Sequence, residues 1–145
     1  MTHQPPPPVG RYEPFAVGTG LIAISAISSA ENGELITGKV GRDLDLAAGQ
    51  HAAERAARNL LAVLLDAVGG DPSRIDRLLM VRGYVNAADD FLAVHKVVDA
   101  ASGVIIAALG DNGLHARTVL GCATLPNGNA VTLEAIAVLR PTAES

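Results

Sequence analysis

Apolar runs separated by breaks rich in Gly, Pro and Asn divide the chain into short and long segments. "GLIAISAI" (Gly20–Ile27) has the length and density of a buried strand. The Asn32-Gly33 pair after it is a strong hairpin signal, so "LITGKV" is expected to return as a second strand. In "DLDLAAGQHAAERAARNLLAVLLDAVGG" the period changes. Ala53, Ala57, Leu60, Leu64 and Ala67 share one helical face, while Glu54, Arg55, Arg58 and Asp66 point elsewhere. Asp45 is placed to cap this helix and Gly69-Gly70 to end it. A strand is expected from about Arg77 to Asn86. Asp89 or Asp90 would then cap a second helix, with Phe91, Val94, Val98, Ala101, Ile105 and Ala108 as its apolar stripe. Finally, "HARTVLGCATLPNGNAVTLEAIAVL" (His115–Leu139) holds two β-rich runs around a Pro-Asn-Gly-Asn turn, read as a hairpin or a tight strand connection. The order strand, strand, helix, strand, helix, strand, strand predicts an α+β domain with helices on one face of a mixed sheet.

Residues 1–11 are polar and Pro-rich, and Pro5 to Pro8 favour a polyproline-like arm, read as a flexible tail. One domain is expected over 12–141, with a short C-terminal tail at 142–145. The 145 residues suffice for a single core, but Tyr12, Phe15, Tyr84 and Phe91 are the only aromatics. The core must therefore be built from Ala, Val, Leu and Ile, and the surplus of small aliphatics suggests apolar surface buried between subunits. The net charge of −4, without a basic run or aromatic platforms, argues against a nucleic-acid partner. Neither a signal-peptide pattern nor a membrane-length apolar run is seen, so a soluble cytoplasmic protein without a membrane partner is expected. Cys122, the single cysteine, excludes an internal disulfide and reads as a small core residue.

Several chemistries are set aside. His51, His95 and His115 fall on separate elements with no metal-ligand spacing, so no metal is expected. There is no G-x-S-x-G elbow. The glycines of "AVGTGLI" precede a strand, not a helix whose N-terminus would meet phosphates. Tyr12 and Glu13, just before the first strand, are placed to reach a cleft or to be ordinary surface residues. A lone arginine among small apolar residues is more telling, because a buried guanidinium needs an anion. Arg117 has two readings: a structural ion pair with Glu134 on an adjacent strand, or a fork that holds a ligand carboxylate through two hydrogen bonds. Spacing alone leaves both open.

The segment from His115 to Leu139 resembles the C-terminal signature of the RidA/YjgF family, which reads roughly as Arg-Ser/Thr, an apolar strand ending Ala-x-Leu-Pro, then Val-Glu-x-Glu-Ala-Ile-Ala. "YEPFAVGTGLIAIS" is similar to the family's Tyr-led first strand, and "GELITGKVGRDLDLAAGQHAAERAARNLLAVL" to its second strand and first helix. "VRGYVNAADDFLAVHKVVDAAS" followed by "HAR" looks like the longer bacterial, chorismate-mutase-like subgroup. The resemblance implies a chorismate-mutase-like α+β fold, a homotrimer with clefts between subunits, and hydrolysis of reactive imines and enamines to ammonia and 2-oxo acids without a metal or organic cofactor. It maps the carboxylate-holding arginine onto Arg117, keeps Tyr12 and Ser25 in the substrate-binding half, and matches Glu134 to the second glutamate, a more structural position.

The departures are specific. Ser25-Ala26-Ile27 stands for the usual Ser-Gly-Gln, Val119 for a frequent cysteine, and Thr132 for the first glutamate, which positions the attacking water. A positioned general base contributes about 10²–10⁴-fold to rate, and a threonine hydroxyl orients water but is a poor base. Three functions follow: a narrowed or weakened imine deaminase, a non-catalytic trimer that binds a small carboxylate, or a biosynthetic enzyme using the same pocket for a chorismate-type rearrangement or a dehydration.

Overall fold

The computed structural model describes residues 3–141, and the expected tail at 142–145 lies outside them. The elements follow as β1 (Phe15–Gly18), β2 (Leu21–Ser28), α1 (Leu46–Ala67), β3 (Ile75–Asn86), α2 (Val94–Leu109), β4 (Ala116–Cys122) and β5 (Val131–Leu139). The strands form one sheet in the order β1-β2-β5-β3-β4. Only β3 and β4 pair in parallel. Both helices cover the same face, which gives the α+β arrangement that the sequence predicts.

α1 starts and stops where its residues dictate. The Asp45 carboxylate accepts the Ala48 N–H at 2.8 Å, satisfying one of the orphan donors of the first turn. At the far end the N–H of Gly70 returns to the Leu65 carbonyl at 2.9 Å. Ala52, Ala53, Ala56 and Ala57 are all fully buried, so the helix axis lies close to the sheet. Ile22 and Ile24 of β2, Leu78, Val81 and Val85 of β3, and Leu133, Ala135 and Ala137 of β5 complete the core beneath the helices. The closest approach is at Gly83, where an added Cβ would stand 2.7 Å from a Val98 methyl of α2.

Four expectations are corrected. The Asn32-Gly33 turn does form, with φ of 53° and 78° and reciprocal 2.9 Å bonds between Glu31 and Glu34. "LITGKV", however, makes only isolated bridges, because Gly38 (φ 120°) and Gly41 (φ 94°) bend it out of an extended path. The strand that pairs with β2 at this edge is β1, which reaches it through a turn at Thr19-Gly20. Helix α2 begins at Val94, with Ala93 in the cap position and no side-chain cap, and Ala108 is exposed. Asp89 and Asp90 lie instead in a turn closed by the Phe91 N–H on the Ala88 carbonyl at 3.0 Å. Phe91 packs over Gly41, where an added Cβ would come within 2.7 Å of it, and this contact anchors the segment ahead of the helix. β4 and β5 are not a hairpin, since β3 separates them. α2 carries the chain back so that β4 lies parallel to β3, and β5 fills the gap between β3 and β2. Cys122, at the end of β4, is half-buried rather than in the core.

The second face of the sheet carries no helix. Leu21 and Leu120 are exposed on it, beside the half-buried Met80, Ile136 and Val138. Among the described residues no helix is long and apolar enough to cross a membrane.

Candidate functional site

Arg117 and Glu134 lie on opposite faces of the sheet. Arg117 pairs in register with Val81, whose side chain is buried beneath the helices, whereas Glu134 pairs with Arg82 on the uncovered face. The Arg117–Glu134 ion pair is thereby ruled out within one chain. Arg117 instead lies along the polar side of α2. His95, Asp99 and Ser102 sit there at helical spacing, one face apart from the buried Val97, Val98 and Ala101. One terminal nitrogen, Nη1, contacts Asp99 at 2.9 Å and donates to Ser102 Oγ at 3.1 Å. Nη2 reaches the His95 carbonyl only at 3.5 Å, and among the described residues Nε has no partner. One edge of the fork, Nε with Nη2, is left to take a planar carboxylate through two parallel bonds.

Ser102 is itself held. His115 precedes Arg117 by two residues, so both project to the same side of the chain, as strand periodicity requires. Its Nε2 lies 3.0 Å from Ser102 Oγ and its Nδ1 lies 2.6 Å from the Gly113 carbonyl. Asp99, Ser102 and His115 therefore support Arg117, and sequence reading missed all three in this role. The available signal was the strand-period spacing of His115 and Arg117, together with the i, i+3 spacing of Asp99 and Ser102.

Glu134 accepts a short hydrogen bond from the Tyr84 hydroxyl and lies 3.9 Å from Arg82. That carboxylate, helped by partial burial, holds the Tyr84 phenol above its usual range. The stability this gives is complete below the unfolded phenol's value of about 10, and is lost as the pH rises through the folded-state value. In a spectrophotometric titration, Tyr84→Phe should remove a phenol step that lies above the ordinary tyrosine range. Persistence of that step in the variant would reassign it.

Tyr12, Ser25 and Thr132 come together elsewhere. They line a cavity of about 110 Å³ with Pro6, Pro7, Ile27 and Asn129, and none of its lining residues carries a charge. Thr132 is nine-tenths buried, and among the described residues its hydroxyl has no hydrogen-bond partner. Ser25 Oγ donates to the Glu13 carbonyl at 2.7 Å, and the Tyr12 hydroxyl accepts the Val9 N–H at 3.3 Å. The stretch around Pro6–Pro8 thus forms one wall of this cavity, while His3 is hydrogen-bonded to the buried Asn59 of α1. Within a single chain the arginine and the cavity do not meet.

A mixed five-stranded sheet with two helices on one face, and an arginine on its edge strand, define a chorismate-mutase-like α+β protein. The chain belongs to the RidA/YjgF family: residues 6–139 match the family described as "YjgF/chorismate_mutase-like, putative endoribonuclease". It is 38% identical to the protein Atu1372 of unknown function from Agrobacterium tumefaciens, over 92% of this chain and 86% of that one, with a TM-score of 0.88. It is also similar to Protein TCP17 of Trypanosoma cruzi, at 33% identity over 74% of this chain and 67% of the relative. The YjgF gene product of E. coli, 21% identical, shares the fold with a TM-score of 0.69 over 97% of this chain and 98% of that one.

Proposed function

We propose that the protein hydrolyses small 2-imino or enamine acids to 2-oxo acids and ammonia, at a site completed between subunits of a homotrimer. The observation that carries this reading is the Arg117 fork: Asp99 and Ser102 hold Nη1, and the Nε–Nη2 edge, touched only by the His95 carbonyl at 3.5 Å, is suited to a substrate carboxylate. A carboxylate held there leaves the adjacent C=N carbon open to water. Addition of water, then departure of the nitrogen as ammonia, completes the reaction, and positioning alone supplies part of the acceleration. The homotrimer is supported by the uncovered sheet face and by the separation of Arg117 from the cavity at Thr132. A neighbouring copy offers the means of joining the two halves.

A second reading, a carboxylate-binding trimer without catalysis, is favoured by one observation. The described residues lining the cavity that holds Thr132 include no carboxylate or imidazole to take a proton from water. Net charge of −4 weighs against an RNA backbone as substrate. The deciding experiment incubates the protein with freshly generated 2-iminopropionate and follows pyruvate release. Acceleration above the uncatalysed rate is expected; a rate equal to that without protein, together with tight pyruvate binding, would establish the second reading.

A further inference from the structure

We infer that the proline arm, residues 3–9, is a strap that closes over the Thr132 cavity and sets which substrate side chains enter it: small, apolar and uncharged ones. The choice of substrate rests on the deaminase reading; the strap itself does not. Pro6, Pro7, Pro8 and Val9 line the cavity together with Ser25, Ile27 and Thr132. The arm differs from the strands that form the other walls. Among the described residues, no backbone–backbone hydrogen bond joins residues 3–9 to the rest of the chain. The prolines have no N–H to give, and the Val9 N–H goes to the nearby Tyr12 hydroxyl.

One polar contact holds the start of the arm. Asn59 Nδ2 donates to the Ser28 and Ala30 carbonyls at 2.7 and 2.9 Å, which fixes its amide with Oδ1 towards the arm. His3 Nε2 must therefore donate to that oxygen. Ser28 and Ala30 also line the Thr132 cavity, so the anchor and the cavity wall share one buried side chain. Elsewhere the arm is loosely seated. A second cavity, of about 420 Å³, is lined by His3, Gln4 and Pro5 on one side and by Arg58, Leu61 and Leu65 of α1 on the other. Val9 is 74% exposed. Lifting the arm breaks one side-chain hydrogen bond and few apolar contacts, a local opening of the low-cost kind. Redocking costs little entropy, because a proline run is already extended as polyproline II.

With the strap down the cavity measures about 110 Å³ and none of its lining residues is charged. That space suits a methyl- or ethyl-sized group, and a longer side chain requires Pro6 and Pro7 to move. A charged side chain would shed its water there and gain no partner. The strap thus selects by size, and the walls beneath it select by charge.

The test compares the parent with His3→Ala and with a double variant, Pro6→Gly and Pro7→Gly, all with thermal midpoints as a control for folding. Strap opening is read without activity, by trypsin cleavage after the exposed Arg11, since a protease needs the chain around that bond free and extended. Cleavage should be about fivefold faster in His3→Ala, the worth of one hydrogen bond. Equal cleavage rates in parent and both variants would overturn the strap. Selectivity is read as kcat/KM for 2-iminopropionate against 4-methyl-2-iminopentanoate and 2-iminoglutarate. The parent should prefer the first over the second by at least about tenfold, as pocket size allows, and both variants should bring that ratio towards one by accelerating the larger substrate. The acidic substrate should stay slow in all three. An unchanged ratio in variants whose Arg11 is cleaved faster would overturn the size filter. If the parent has no activity, the deaminase reading fails by itself. The filter is then read from calorimetric affinities for pyruvate and 4-methyl-2-oxopentanoate, with the same ratio expected and the same null result overturning it.

Discussion

Replacing Arg117 by alanine is expected to weaken binding of a small 2-oxo acid by about 100-fold or more and to leave the fold intact. Each charge-assisted hydrogen bond is worth about 1.5–3 kcal/mol, and the open edge of the fork provides two. The lower figures sum to about 3 kcal/mol, and every 1.4 kcal/mol is tenfold in affinity. The structural cost is small by comparison. Arg117 lies at the sheet edge rather than in the core, and its partner Asp99 keeps 61% of its side-chain surface exposed. An ion pair of that kind contributes about 0–1 kcal/mol, and the freed Asp99 stays in water. Ser102 and His115 keep each other as partners. Calorimetry with pyruvate, beside thermal midpoints of both proteins, measures the two effects separately. Unchanged affinity in the variant would place the anion pocket away from β4.

Gly83→Ala is expected to destabilise the fold by about 1–3 kcal/mol, the usual cost of overpacking. Its added Cβ would meet both Val98 methyls, at 2.7 and 2.9 Å, and a β-branched side chain in a helix has one preferred rotamer and no room to swing. Relief must come from a shift of α2 itself, which carries the Asp99 and Ser102 supports of Arg117. Chemical denaturation of the single variant should show the loss. Adding Val98→Ala should recover part of it, because the two changes share one contact. Strict additivity of the two substitutions would mean that helix and sheet do not touch there.

Residues that act locally were legible in the sequence. Asp45 and Gly70 close α1 through bonds within a few positions of themselves, so their types sufficed to place the helix. The Asn32-Gly33 turn was equally plain, but its continuation depended on the positive φ of Gly38 and Gly41, and Gly41 packs against Phe91 far along the chain. The start of α2 was misplaced for the same reason. At the site, the importance of Arg117 could be read from its apolar surroundings and its family likeness. Its partners could not, because strand periodicity says which residues share a face but not which strand lies beside them. Proximity in sequence set β4 against β5 and Arg117 against Glu134. The parallel return through α2 sets Arg117 against Asp99 and Ser102 instead.

β5, which is synthesised after the other four strands, is the central one of the sheet. Until β5 is available, β1 with β2 forms one fragment and β3 with β4 another, each with an inner edge of unpaired backbone donors and acceptors. The nascent chain can settle its helices early but cannot join the two fragments until β5 is free of the ribosome. Ribosome-bound chains stalled before Val131 should therefore be readily cleaved by protease and prone to edge-to-edge association. The long loop closures that β5 then makes set the pace of folding.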